Sequence, residues 1–260
     1  MGVLIDRVSV ISTCLTERFR RGLPEIVGPT DREAVFILDG VGGFQSVPLL
    51  IRKIFREQGA AIGTIACVWQ FGVPGEIWTD LMWQHRNRVM GARLARKILA
   101  FRRTHPNTRI HLFGFSGGTG IAVFACESLR GRRVIDTMVL AAPALSPDYN
   151  LSRAMSAVTR CYALTSRRDR IVLGAGTRVF GTIDRRFTSA AGRHGFRMPA
   201  ALNAEDRAAY DRLVQFRWSD AWRDSGHHGG HTGPVTAAFL ARHLVGLLRG
   251  APGPPLAPRA

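Results

Sequence analysis

A strand that ends in Gly114-Phe115-Ser116-Gly117-Gly118 and runs straight into a helix leaves a chain few folds to choose from. Residues 109–115 are an apolar run that reads as a strand, and residues 119–129 carry helical periodicity. A serine at the tip of so tight a turn is exposed only where the backbone bends sharply. Glycines two before and two after it remove the Cβ atoms that would clash there. Strands and helices alternate on both sides of this turn. Residues 34–38 read as a buried strand. Ser46 and Pro48 open a helix that Gly59 ends, and residues 60–71 read as the next strand. Pro74 and Gly75 then break the chain before a long helix with the stripe Met90, Leu94, Ile98 and Phe101. Strand, long helix and second strand form the right-handed crossover unit of a parallel sheet. The expected class is therefore α/β, a mostly parallel sheet flanked by helices on both faces.

Past Gly131 the pattern continues with a strand over residues 134–142, a helix over 151–158 and a strand over 160–165. Residues 174–212 lose periodicity and read as irregular surface structure, a wall or lid over a site. A last strand is expected over 213–218, then the loop Gly226-His227-His228-Gly229-Gly230-His231, and a closing helix opened by Pro234. Before all of this, Leu4, Val8, Ile11, Leu15 and Phe19 fall at helical spacing, which predicts an amphipathic helix over residues 3–21 that docks on the body of the protein. The expected organisation is one domain over residues 1–250 with a disordered proline-rich tail over 251–260.

Composition limits the function classes. A chain of 260 residues, 46% hydrophobic and 21% charged, folds as a globular protein and not as a disordered one. Its net charge of +17 comes almost wholly from arginine, Lys53 and Lys97 being the lysines, and is spread along the chain instead of massed in one arm. That spread suits a GC-rich coding bias better than a nucleic-acid partner, although a basic surface still steers anions. The four cysteines, Cys14, Cys67, Cys126 and Cys161, are far apart in apolar surroundings and form no C-x-x-C pair, so buried free thiols are expected. No leader and no uncharged stretch long enough to span a membrane is evident, which points to the cytoplasm. A phosphate cradle made by Gly114, Gly117, Gly118 and Gly120 fits neither the G-x-G-x-x-G nor the G-x-x-x-x-G-K-[ST] pattern.

The G-x-S-x-G turn between strand and helix resembles the nucleophile elbow of the α/β-hydrolase fold, and the resemblance covers residues 34 to 248. It implies a serine hydrolase of the carboxylesterase or lipase type, with thioesterase activity close behind, that needs no cofactor and no metal and acts on a small-molecule ester or related acyl compound. The family's order of nucleophile, acid and histidine is met by Ser116, Asp169 and His231. Asp148 and Asp184 are rivals for the acid, and His228 and then His227 for the histidine. Two backbone donors of an oxyanion hole are implied at Val41 and Gly117. Where the family often carries H-G-x-G-G after its third strand, this chain has Asp39-Gly40-Val41-Gly42-Gly43, so the histidine ring is lost while the backbone donor is kept. The absence of a separate cap after residue 142 favours small or medium substrates. The rival in another class is a nucleotide-binding module built on that glycine cradle, and a third reading is a hydrolase-like scaffold that binds without catalysis.

Overall fold

The computed structural model describes residues 25–42, 45–70, 80 and 82–251. The expected N-terminal helix, Cys14, the break at Pro74 and Gly75, and residues 252–260 of the tail lie outside them. Seven strands form one sheet in the order β1-β3-β2-β4-β5-β6-β7. They are β1 (Ile26–Val27), β2 (Glu33–Leu38), β3 (Gly63–Ala66), β4 (Arg109–Phe115), β5 (Ile135–Ala141), β6 (Val158–Thr165) and β7 (Leu213–Arg217). All neighbours pair in parallel except β1, which runs antiparallel to β3.

Both faces of the sheet are covered, and successive residues of β2 show it. Ala34, Phe36 and Leu38 point into one core, Val35 and Ile37 into the other. The first core is closed by the stripe Leu94, Ile98 and Phe101 of α2 (Gln84–Thr104) and by α3 (Gly117–Ser128), the helix behind the serine turn. The second is closed by Val47, Ile51, Ile54 and Phe55 of α1 (Ser46–Glu57) and, from the chain end, by Phe239, Leu240, Leu244 and Leu247 of the closing helix (Ala237–Arg249). Neither Cys126 nor Cys161 is exposed, and both are free thiols, with Cys126 pushed up to about 12 by burial.

Several expectations need correction. Of the run 60–71, the described residues 60–70 are strand only over Gly63–Ala66, where the pairing with β2 stops at Ala66 opposite Ile37. Beyond it the chain turns away so that the Trp69 indole reaches the loop after β2. The helix expected over 151–158 is the single turn Ser152–Met155, since Val158 already pairs with Ile135 at the start of β6. Ser46 does not cap α1. It lies inside the helix, and the cap position is Gln45 at φ 60°. Residues 174–212 are more ordered than their weak periodicity predicts: Ile183, Ala191 and Gly192 donate backbone hydrogen bonds to Ala144, Leu145 and Pro143, and Ile183, Ala190 and Ala191 are buried. Small and apolar side chains at those positions let the segment lie flat against the loop after β5. The strand over 213–218 and the closing helix form close to where they are expected.

Candidate active site

Every strand of the parallel part of the sheet ends at one edge, and the loops leaving that edge bring the candidate residues together. Ser116 follows β4 at φ 50° and ψ −121°, a conformation that costs a non-glycine residue about 1–3 kcal/mol. The two flanking glycines allow it. A Cβ on Gly118 would stand 2.5 Å from the Asp39 carbonyl oxygen, and one on Gly114 would stand 2.9 Å from the Thr119 Cα. The backbone is therefore folded back on itself so closely that no side chain fits at either position, and the serine hydroxyl is turned out of the sheet.

His231 Nε2 lies 3.0 Å from Ser116 Oγ, and His231 Nδ1 lies 2.6 Å from Asp169 Oδ2. The other carboxylate oxygen of Asp169 accepts from the Leu173 N–H at 3.2 Å, which holds the carboxylate in place. Asp169 is buried and the His231 ring is half-buried against Phe115, so water has little access to the imidazole–carboxylate contact. The rival side chains are engaged elsewhere. Asp148 is exposed and paired at both oxygens with Arg197, which holds its carboxyl below the usual range. Asp184 accepts from the N–H and the hydroxyl of Ser146. His228 faces solvent. Among the described residues no three His, Cys, Asp or Glu side chains gather as metal ligands.

His227 is buried beside Trp222 and Phe239, and its Nδ1 accepts from the Gly229 N–H at 3.0 Å. Burial pulls its pKa down to about 3 from the ordinary 6.5. A histidine that titrates lower in the folded than in the unfolded chain contributes stability that is complete above pH 6.5 and lost as pH falls toward 3, at about 1.4 kcal/mol per pH unit. Between pH 7 and pH 5 its share of the loss is about 2 kcal/mol. Urea melts at the two pH values should show that loss, and in His227→Gln the drop should shrink by about that amount. An unchanged drop in the variant would mean that the ring is not held neutral by the fold.

The loop after β2 is clamped from several sides by residues that sequence reasoning missed. Asp39, read only as the loss of a histidine, accepts from the Gly40 N–H through Oδ1 at 2.8 Å, and through Oδ2 from the Ser46 hydroxyl at 3.1 Å and the Val47 N–H at 3.2 Å. It thus anchors the loop and serves the start of α1 in place of the cap expected from Ser46. Desolvation raises its pKa, while these donors pull it back down. From the far side Trp69 Nε1 donates to the Asp39 carbonyl at 2.8 Å, Gln70 Nε2 to the Gly40 carbonyl at 2.8 Å, and the Gly42 N–H donates to Asp80 Oδ2 at 3.2 Å. With the Gly40 and Gly42 N–H groups taken, the Val41 N–H is the one between them left without an acceptor among the described residues. Val41 sits against the serine turn: a Cβ on Gly117 would stand 2.5 Å from Val41 Cγ2. The signal for the clamp was present in part, as an aspartate placed between a strand and a glycine-rich loop, but Asp80 lies in sequence far from anything that marks it.

Lipase B of Aspergillus fumigatus aligns with this structure at a TM-score of 0.53 and 11% identity, over 89% of this chain and 57% of that one. The fold is that of the α/β-hydrolases. Two further solved structures are similar to this chain: a protein described as a predicted CIB-like hydrolase from Thermoplasma acidophilum, at a TM-score of 0.49 and 14% identity over 86% of this chain and 89% of that one, and dienelactone hydrolase from Anabaena variabilis, at 0.47 and 14% over 87% and 90%. No family model and no curated protein sequence matches the chain. Within this fold the serine turn occupies the end of a central strand, β4, with a parallel neighbour on each side. Among the described residues no helix is long and apolar enough to cross a membrane.

Proposed function

We propose that the protein is a serine hydrolase that cleaves carboxylic esters or related acyl bonds through an acyl-enzyme on Ser116. The observation that carries the reading is the chain of contacts Ser116 Oγ to His231 Nε2 and His231 Nδ1 to Asp169. With Nδ1–H donating to Asp169, Nε2 presents its lone pair to the serine hydroxyl. Oγ attacks the acyl carbon and its proton passes to Nε2, while Asp169 steadies the imidazolium. The negative charge that develops on the acyl oxygen is met by the N–H groups of Val41 and Gly117, the first freed by the clamped loop and the second by its place at the start of a helix. Nε2 then hands the proton to the departing alcohol as the C–O bond breaks. Water repeats the sequence on the acyl-enzyme and regenerates the serine.

Because an acyl-enzyme forms before it is hydrolysed, p-nitrophenyl esters should release a burst of p-nitrophenol close to one equivalent of enzyme wherever deacylation is the slower step. No turnover of short p-nitrophenyl esters and no burst would favour a scaffold without catalysis.

Asp80 acts on this reaction as a positioning residue, through the Gly42 N–H. Deleting a donor of an oxyanion hole costs about 10²–10³ in kcat; loosening the loop that holds one should cost less, about tenfold. Asp80→Ala is therefore expected to lower kcat about tenfold with KM nearly unchanged, and Asp80→Asn, which keeps an acceptor for Gly42, to restore most of it. An equal loss in both variants would assign the effect to the Asp80 charge, which also meets Arg86 at 3.6 Å, and not to the bond with Gly42.

A further inference from the structure

The stretch from Arg167 to Arg193 departs from ordinary globular surface in two ways at once. It carries seven arginines and no lysine or glutamate, and its two acids are turned inward, Asp169 to His231 and Asp184 to Ser146. Within the same stretch Ile171 is 82% exposed, Val179 65% and Phe187 63%. Single exposed apolar side chains are common, but these three, with Val172 also exposed, fall on one short segment, whose end folds back so that Phe187 lies beside Gly181. The segment is ordered locally: Ile171–Gly176 is a π-helical turn continued by the helical turn Thr177–Phe180, Arg185 donates to the Phe180 carbonyl, and the Arg185 guanidinium lies 5.2 Å from the centre of the Phe187 ring. It is tied to the candidate site through the bond from the Leu173 N–H to Asp169. Arg193, Arg167 and Arg178 of this stretch lie near enough to His194 to help hold it, after desolvation, below its ordinary range.

From these observations we propose that residues 171–187 seat the protein on an anionic lipid surface, with Ile171, Val179 and Phe187 entering the boundary of the acyl region and Arg167, Arg170, Arg178 and Arg186 meeting the head-group phosphates. Apolar side chains flanked by arginine suit that boundary, where hydrophobic burial and attraction to anionic lipid add. A nucleic acid backbone would reward the arginines and leave the aliphatic side chains in water. A second copy of this chain would bring the same arginines face to face without counter-charge. Because the patch adjoins Asp169, lipid-borne esters would be delivered beside Ser116; this consequence rests on the proposed esterase activity, whereas the binding does not.

The test is flotation of the full chain with vesicles of phosphatidylcholine alone and of equimolar phosphatidylcholine and phosphatidylglycerol, in low and in high salt. Binding to the phosphatidylglycerol vesicles is expected, with little to phosphatidylcholine, and it should weaken as salt shortens the Debye length from about 10 Å at 0.1 M to about 3 Å at 1 M. The triple variant Ile171→Ser, Val179→Ser, Phe187→Ser should lower the partition coefficient about a hundredfold. The pair Arg178→Gln, Arg186→Gln should lower it about thirtyfold. Both should melt like the parent and hydrolyse p-nitrophenyl acetate at the parent's rate. Ser116→Ala should float as well as the parent, so that loss of the esterase reading leaves the binding result standing. Equal binding to both vesicles, no binding in low salt, or full binding by the triple serine variant would overturn the proposal. So would a dimer in sedimentation that Phe187→Ser dissolves, which would assign the patch to a second copy.

Discussion

Ser116→Ala is expected to abolish turnover of p-nitrophenyl esters, with kcat lowered by about 10⁴-fold or more. The size follows from chemistry that no neighbour can replace. Removal of Oγ takes away the atom that bonds to the acyl carbon, and the hydroxyls of Ser146 and Ser166, on the loops after β5 and β6 at the same edge of the sheet, are engaged with Asp184 and with the Gly229 carbonyl. The residue that remains would be catalysis by the oxyanion donors and by binding alone. Stability should move in a different direction. At φ 50° and ψ −121° alanine is strained as serine is, whereas glycine accepts that conformation freely. Ser116→Gly should therefore unfold at higher urea than Ser116→Ala, by about 1 kcal/mol after allowing for the entropy of glycine in the unfolded chain. Appreciable activity in either variant would remove Ser116 from the mechanism. Equal stability of the two would mean that the elbow is not strained.

Asp169→Asn should be the second most damaging change, lowering kcat about 10³- to 10⁴-fold with the fold intact. Asparagine keeps the shape but presents an amide, and an amide N–H toward Nδ1 favours the tautomer with its proton on Nε2, the wrong nitrogen for accepting the serine proton. The control is built into the molecule. Asp148 meets Arg197 at the surface, in an exposed pair of the kind that solvent screens, so Asp148→Asn should leave kcat unchanged. The histidine follows the same contrast: His231→Ala should lose most turnover, and His228→Ala, on the solvent side of the loop, should not. A crippled Asp148→Asn beside an active Asp169→Asn would transfer the acid to the loop after β5.

The fold was legible wherever one strong local signal was repeated along the chain. Apolar runs with glycine at their ends marked β2, β4 and β5, and the stripe from Leu94 to Phe101 marked α2, because burial on both faces demands nearly continuous apolar strands and a regular helix above them. The candidate triad was legible for a different reason. The serine announces itself by the glycines around it, and the order of strands leaves few loops at the same edge of the sheet for its partners. What could not be read was set by partners distant in sequence. The length of β3 is set by where its pairing with β2 stops, at Ala66 opposite Ile37, which nothing in its own sequence marks. The cap of α1 is the carboxylate of Asp39, and the loop that Asp39 anchors is held from behind by Trp69, Gln70 and Asp80, which have no motif of their own. Residues 174–212 lacked periodicity because they are ordered by backbone bonds to residues 143–145 and not by a repeating face.

Whether Ser116 is a nucleophile activated by His231 is decided by labelling with a fluorophosphonate followed by peptide mass spectrometry. One adduct per chain is expected, on Ser116, absent from Ser116→Ala and formed far more slowly in His231→Ala. No adduct on the wild-type chain, an adduct on another residue, or labelling that persists in Ser116→Ala would contradict it.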